Sequence, residues 1–158
     1  SIVIYNKKLD TWTPGAHAGT FRGNQLAMKA GTVLLKKVSQ PEFLQDVSKK
    51  GELIRARLNA LNEEVPIIAD IRGQGLMVGT EFVDPKGQKD CMGSLPACGE
   101  IAAKVQKLCF ENFLVVEKGG RNGSVMRCLC ALNISEEYVN KAMDIIEKCV
   151  LQVNQEYK

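Results

Sequence analysis

Pro14-Gly15-Ala16-His17-Ala18-Gly19-Thr20-Phe21-Arg22-Gly23-Asn24 places three glycines in one short stretch and runs directly into a periodic apolar pattern, Leu26, Ala30, Val33, Leu34 and Val38. Steps of three and four predict an amphipathic helix from Asn24 to about Lys37. Residues 10–24 are rich in Gly, Thr and Pro, with Trp12, His17 and Phe21 interleaved, and have neither a helical nor a strand period. They read as a loop feeding a helix N-terminus, the kind of segment on which binding and catalytic groups sit. Upstream, Ser1-Ile2-Val3-Ile4-Tyr5 reads as a strand.

Downstream, Ser39-Gln40-Pro41-Glu42 fits a capping box. The stripe Leu44, Val47, Ile54, Leu58 and Leu61 then predicts a second helix to about Asn62, and Pro66 prevents its continuation. Residues 67–72 and 76–83 are β-rich runs around Gly73-Gln74-Gly75, a hairpin or two neighbouring strands. A polar loop reaches Leu95. Ser94 and Pro96 are expected to open a third helix carrying Ile101, Val105, Leu108 and Cys109, ending at Glu111-Asn112. Strands over 113–116 and 125–129 flank a glycine-rich turn at 118–123, and the last helix starts behind Ser135, with Glu136 and Glu137 favourable to its dipole. The order is strand, loop, helix, helix, two strands, helix, two strands, helix.

At 158 residues the chain holds one domain, or a domain with an arm, on the usual scale of about 150 residues. Hydrophobic residues make up 45% and charged residues 25%, ordinary globular proportions. The 21 basic and 18 acidic residues give +3, and the basic pairs are scattered among acids, so no nucleic-acid partner is expected. No apolar run approaches the roughly 18 residues of a membrane helix, and no export signal opens the chain, so a cytoplasmic, membrane-free protein is expected. Its six cysteines (Cys91, Cys98, Cys109, Cys128, Cys130, Cys149) lack zinc spacing and are expected to be structural thiols, with no metal site. Asn122-Gly123-Ser124 and Asn133-Ile134-Ser135 mean little without an export signal.

Familiar catalytic patterns are missing. His17 is the single histidine and has no nucleophile elbow to serve. Gly73-Gln74-Gly75 with Gly79 precedes a strand, where a dinucleotide fold needs a helix N-terminus. Lys118 beside Gly119-Gly120 reads as a solvated turn lysine.

Four ordered segments carry a stronger signal: residues 14–24; Asp70-Ile71-Arg72-Gly73-Gln74-Gly75-Leu76-Met77-Val78-Gly79; Cys109-Phe110-Glu111; and Gly120-Arg121-Asn122-Gly123-Ser124-Val125-Met126-Arg127. With these the chain resembles, over essentially its whole length, the C-terminal part of the class III pyridoxal-phosphate aminotransferases, in particular the diaminobutyrate:2-oxoglutarate aminotransferases. The resemblance implies an α/β fold, the C-terminal part of a fold-type I transferase, with residues 1–37 ending the large cofactor-binding domain and residues 38–158 forming the small C-terminal α+β domain, a short-stranded sheet packed on helices. It implies transfer of the terminal amino group of 2,4-diaminobutyrate to 2-oxoglutarate, giving aspartate 4-semialdehyde and glutamate, in a homodimer. Ornithine, acetylornithine or 4-aminobutyrate are alternative donors within the family. Outside it, the alternatives are a noncatalytic α+β binding module or a degenerate remnant.

By the same resemblance, the lysine that holds pyridoxal 5'-phosphate as a Schiff base lies upstream of Ser1, and residues 1–158 alone are expected to be inactive. Thr20 matches the threonine that binds the cofactor phosphate of the other subunit; a Gly-Thr pair offers a hydroxyl donor and close backbone approach to an anion. Arg127 matches the arginine that clamps the α-carboxylate of glutamate and 2-oxoglutarate, a planar fork suited to two oxygens. Read without the family, Thr20 is equally a turn threonine and Arg127 a surface ion-pair residue. Arg22 and Asn24 are assigned to loop structure, and Arg72 to either a site or an ion pair. One departure stands out: Cys128-Leu129-Cys130-Ala131 replaces the family's aromatic residue and paired prolines, which leaves the segment behind Arg127 less rigid.

Overall fold

The computed structural model describes residues 3–157. They fall into two compact units, Ser1–Gln40 and Pro41–Lys158, and each is described by itself.

In the first unit, a 3-10 turn at Lys7–Leu9 is capped by the Asn6 side chain. A turn-rich loop follows, and α1 spans Gln25–Val38. Asn24 begins this helix because its side-chain oxygen accepts the Ala27 N–H at 2.9 Å, satisfying one orphan donor of the first turn. The expected strand at 1–5 is corrected. Ser1 and Ile2 lie outside the described residues, and Val3, Ile4 and Tyr5 join no ladder. Apolar β-branched residues form a strand only beside another strand, and none among the described residues pairs with this segment. The capping box at Ser39 is also corrected: its hydroxyl donates to the Leu35 carbonyl at 2.7 Å, so it closes α1. The next helix starts with Pro41, whose missing N–H costs nothing in a first turn.

The second unit contains α2 (Pro41–Glu64), β1 (Ile68–Gln74), β2 (Met77–Phe82), α3 (Gly99–Glu111), β3 (Glu117–Gly119), β4 (Val125–Leu129) and α4 (Glu136–Asn154). The sheet order is β1-β2-β4-β3, antiparallel throughout. Val78, Phe82 and Met126 are fully buried on one face, and Leu58 of α2, Ile101 and Val105 of α3 and Val150 of α4 join them in one core. At roughly 1.5–3 kcal/mol for each large apolar side chain removed from water, this core carries the unit's stability. Strand residues alternate between faces, so the opposite face presents Asp70, Arg72, Gly79, Glu81, Arg127 and Glu117.

Two further expectations are displaced. Helix α3 begins at Gly99, because the Pro96 carbonyl accepts the Asp84 N–H and Ala97 bridges Val83, which holds residues 96–97 extended against the strand end. The expected strand at 113–116 is replaced by β3 at Glu117–Gly119. Phe113 takes φ 63°, and the chain must turn back over the end of α3 before it reaches the sheet.

Candidate functional site

Arg127 sits in the middle of β4, in register with Gly79 on one neighbouring strand and Glu117 on the other. Arg72 of β1 pairs in turn with Gly79, so one row across the sheet reads Arg72, Gly79, Arg127, Glu117. Gly79 contributes no side chain, and a Cβ there would stand 3.1 Å from Val125 Cγ1 of β4. The two cations differ in their partners. Arg72 donates to Asp70 and to Glu81, both at 2.6 Å, and its pKa is pushed further above the ordinary value, first by Asp70 and then by Glu81. Two carboxylates hold this guanidinium, so Arg72 belongs to a structural ion cluster.

Among the described residues Arg127 has one acidic partner, Glu117, with Nη2 and Oε1 2.9 Å apart. Its Nε–H is buried and has no acceptor among the described residues, and the Arg127 side chain as a whole is 40% exposed. Behind it, Cys128 faces the core side, where burial first and Cys130 second push its thiol up to about 11. Burial also raises Cys130. Both thiols act here as small apolar packing groups, as expected. Among the described residues no group of three or more His, Cys, Asp or Glu is placed to hold a metal.

Thr20 belongs to the other unit. It lies in a turn, exposed, and its hydroxyl makes no hydrogen bond among the described residues. The loop around it is closed from both ends. The Arg22 guanidinium donates to the His17 carbonyl and, at 2.7 Å, to His17 Nε2, while the Arg22 backbone N–H reaches the Gly19 carbonyl. A Cβ at position 19 would stand 3.0 Å from Arg22 Nε, so glycine gives the folded-back side chain its room. His17 stacks on Trp12 with ring centroids 4.9 Å apart. Arg22, His17 and Asn24 thus build the loop, and Thr20 is the group it offers: a free hydroxyl and a backbone N–H, the donor set a phosphate takes. Thr20, in the first unit, thus offers donors that suit a phosphate, and Arg127, in the second, a fork that suits a carboxylate. Sequence reasoning missed Glu117 and Gly119 as neighbours of Arg127, because the β3–β4 register that brings them together is not written in either strand alone.

Residues 1–150 match the family model described as aminotransferase class-III. The chain belongs to the class-III aminotransferases. It is 42% identical over 145 residues to a diaminobutyrate–2-oxoglutarate aminotransferase of Haemophilus influenzae, covering 89% of this chain and 32% of that protein. It is 43% identical over 141 residues to a protein of the same name from Rhizobium meliloti, covering 89% and 30%. Among solved structures, an acetylornithine aminotransferase from Elizabethkingia anophelis superposes with a TM-score of 0.66 at 28% identity, over 89% of this chain and 32% of that one. The chain therefore spans about a third of the length of the curated relatives it matches.

Proposed function

We propose that this chain supplies the C-terminal third of a pyridoxal 5'-phosphate-dependent aminotransferase that moves the terminal amino group of 2,4-diaminobutyrate to 2-oxoglutarate. The products are aspartate 4-semialdehyde and glutamate. The observation that carries the reading is the 42% and 43% identity, over 89% of the chain, to two proteins bearing that name. Residues 1–37 then end the large domain and residues 38–158 form the small one, in a cytoplasmic homodimer. The cofactor's lysine comes from sequence preceding Ser1.

When bound, pyridoxal phosphate supplies the electron sink for amino-group transfer. The chain's own residues bind and orient. Thr20 donates its hydroxyl and backbone N–H to the phosphate of the cofactor in the partner subunit. Arg127 presents two parallel N–H donors to the α-carboxylate common to glutamate and 2-oxoglutarate, which fixes the reacting carbon relative to the cofactor.

The 28% identity to an acetylornithine aminotransferase favours N-acetylornithine as the second reading. Steady-state assay of the full-length protein with 2-oxoglutarate and each of 2,4-diaminobutyrate, ornithine, N-acetylornithine and 4-aminobutyrate decides between them. The highest kcat/KM is expected for 2,4-diaminobutyrate. A tenfold preference for another donor would replace it.

A further inference from the structure

The guanidinium of Arg127 does not project freely from β4. Its Nη2 is drawn sideways over β3 by Glu117, the residue in register with it, at 2.9 Å. Two residues further along β3, on the same face, stands Gly119. A Cβ built there would have as its three nearest neighbours Nη2 at 3.0 Å, Cζ at 3.5 Å and Nε at 3.6 Å, all of Arg127. The guanidinium plane therefore rests in the space that a side chain at position 119 would fill. Gly119 has no left-handed backbone torsion to explain it, and glycine weakens a strand by entropy. Neither the conformation nor the ladder calls for glycine here; the arginine does.

We propose that Gly119 is a positioning residue for the carboxylate-binding arginine: its missing side chain, together with Glu117 on the same strand face, sets the height and tilt of the Arg127 fork. This rests on the reading of Arg127 as the α-carboxylate anchor and adds to it the residue that fixes the anchor's orientation. Nη2 is thus held between the Glu117 carboxylate and the backbone at Gly119. A methyl group at 119 lifts Nη2 by a few tenths of an ångström. A branched side chain lifts it further.

The test is a graded series, Gly119→Ala and Gly119→Val, beside Arg127→Gln, in the full-length enzyme loaded with pyridoxal phosphate, reading KM for 2-oxoglutarate and the thermal midpoint. KM is expected to rise about threefold to tenfold for Gly119→Ala, the effect of one misdirected charge-assisted hydrogen bond, and further for Gly119→Val. The midpoint should hold or rise, because both residues suit a strand better than glycine. A glycine with a purely structural role would give the reverse, a lowered midpoint with unchanged KM. If Arg127→Gln raises KM and both Gly119 variants stay within twofold of wild type, the positioning role is overturned and the anchor stands. If Arg127→Gln itself leaves KM unchanged, the anchor reading falls, and the positioning role with it.

Discussion

A single arginine with one half-exposed carboxylate partner contributes little to folding. Exposed pairs of the Arg127–Glu117 kind are worth about 0–1 kcal/mol, since solvent screens the attraction and two long side chains must be ordered. On the proposed reading the residue's value lies in what it binds, and the two readings separate by measurement. Arg127→Lys keeps the charge but loses the fork, so kcat/KM for 2-oxoglutarate should fall about tenfold to a hundredfold, while the thermal midpoint moves little. Full efficiency with a lowered midpoint would make Arg127 structural. Thr20→Ala should weaken retention of pyridoxal phosphate by roughly 1.5–3 kcal/mol, the scale of one hydrogen bond to a charged group, read by cofactor titration. Thr20 and Arg127 are the positions where the sequence resembles the family's phosphate-binding and carboxylate-binding residues. What surrounds them is not legible in the sequence. Glu117 and Gly119 precede Arg127 by ten and eight residues, and only the β3–β4 register sets them against it. Arg22 read as loop structure, and the structure gives it that task, bridging back to His17 around Thr20.

Element type was legible wherever a period ran long. The apolar stripe of α2 and the β-rich run of β2 reappear in burial, Val47, Ile54, Leu58 and Leu61 for α2, with Leu44 left exposed, and Val78, Thr80 and Phe82 for β2. Boundaries failed where a residue had two possible employers: Ser39 suits a helix start or a helix end, and its hydroxyl went to the end of α1. Phe113 is the instructive miss. Its N–H reaches the Phe110 carbonyl and the Leu114 N–H reaches the Cys109 carbonyl, the paired bonds of a Schellman closure, which places Phe113 where glycine is preferred. It pays in left-handed strain and in a side chain 99% exposed. Phe113→Gly should therefore stabilise the unit by about 0.5–1 kcal/mol in urea unfolding, the relief of strain less the entropy of a freer unfolded chain. A loss of stability would show that the ring is held by contacts this chain does not provide. At the other side of the same helix, burial first and Cys149 next push the Cys109 thiol up to about 12. Its folded-state pKa is thus above its unfolded one. Below about pH 9 both states keep the proton; above it only the unfolded chain ionises, so stability falls as pH rises toward 12. The slope from this thiol approaches about 1.4 kcal/mol per pH unit. Cys109→Ala should lower stability at pH 7 yet flatten that alkaline fall, and an unchanged slope would remove Cys109 as its source.

The two units differ in what holds them. Residues 41–158 enclose a continuous core in which α2, α3 and α4 cover one face of the sheet. Residues 3–40 bury nothing: α1 has no buried residue, and Leu26, Val33, Leu34 and Leu35 are 53–83% exposed. A 14-residue helix without a packed face is marginal in water, because each turn must offset its own entropy. Apolar residues at helical spacing on such an element mean that it is built to lie against something. In the proposed enzyme that is the remainder of the large domain, which belongs to the two thirds of the relatives' length this chain does not span. The consequence for function is direct, since Thr20 rides on this unit and a phosphate donor works only when held in place. Residues 41–158 produced alone should therefore unfold in a single cooperative urea transition with the same midpoint as residues 1–158. A peptide of residues 1–40 should be mostly non-helical by circular dichroism and should not retain pyridoxal phosphate. Loss of the cooperative transition on removing residues 1–40 would mean that the core of the second unit depends on the first. A helical, cofactor-retaining peptide would mean that α1 and the Thr20 loop are stable without a larger domain, and the need for that domain would fall.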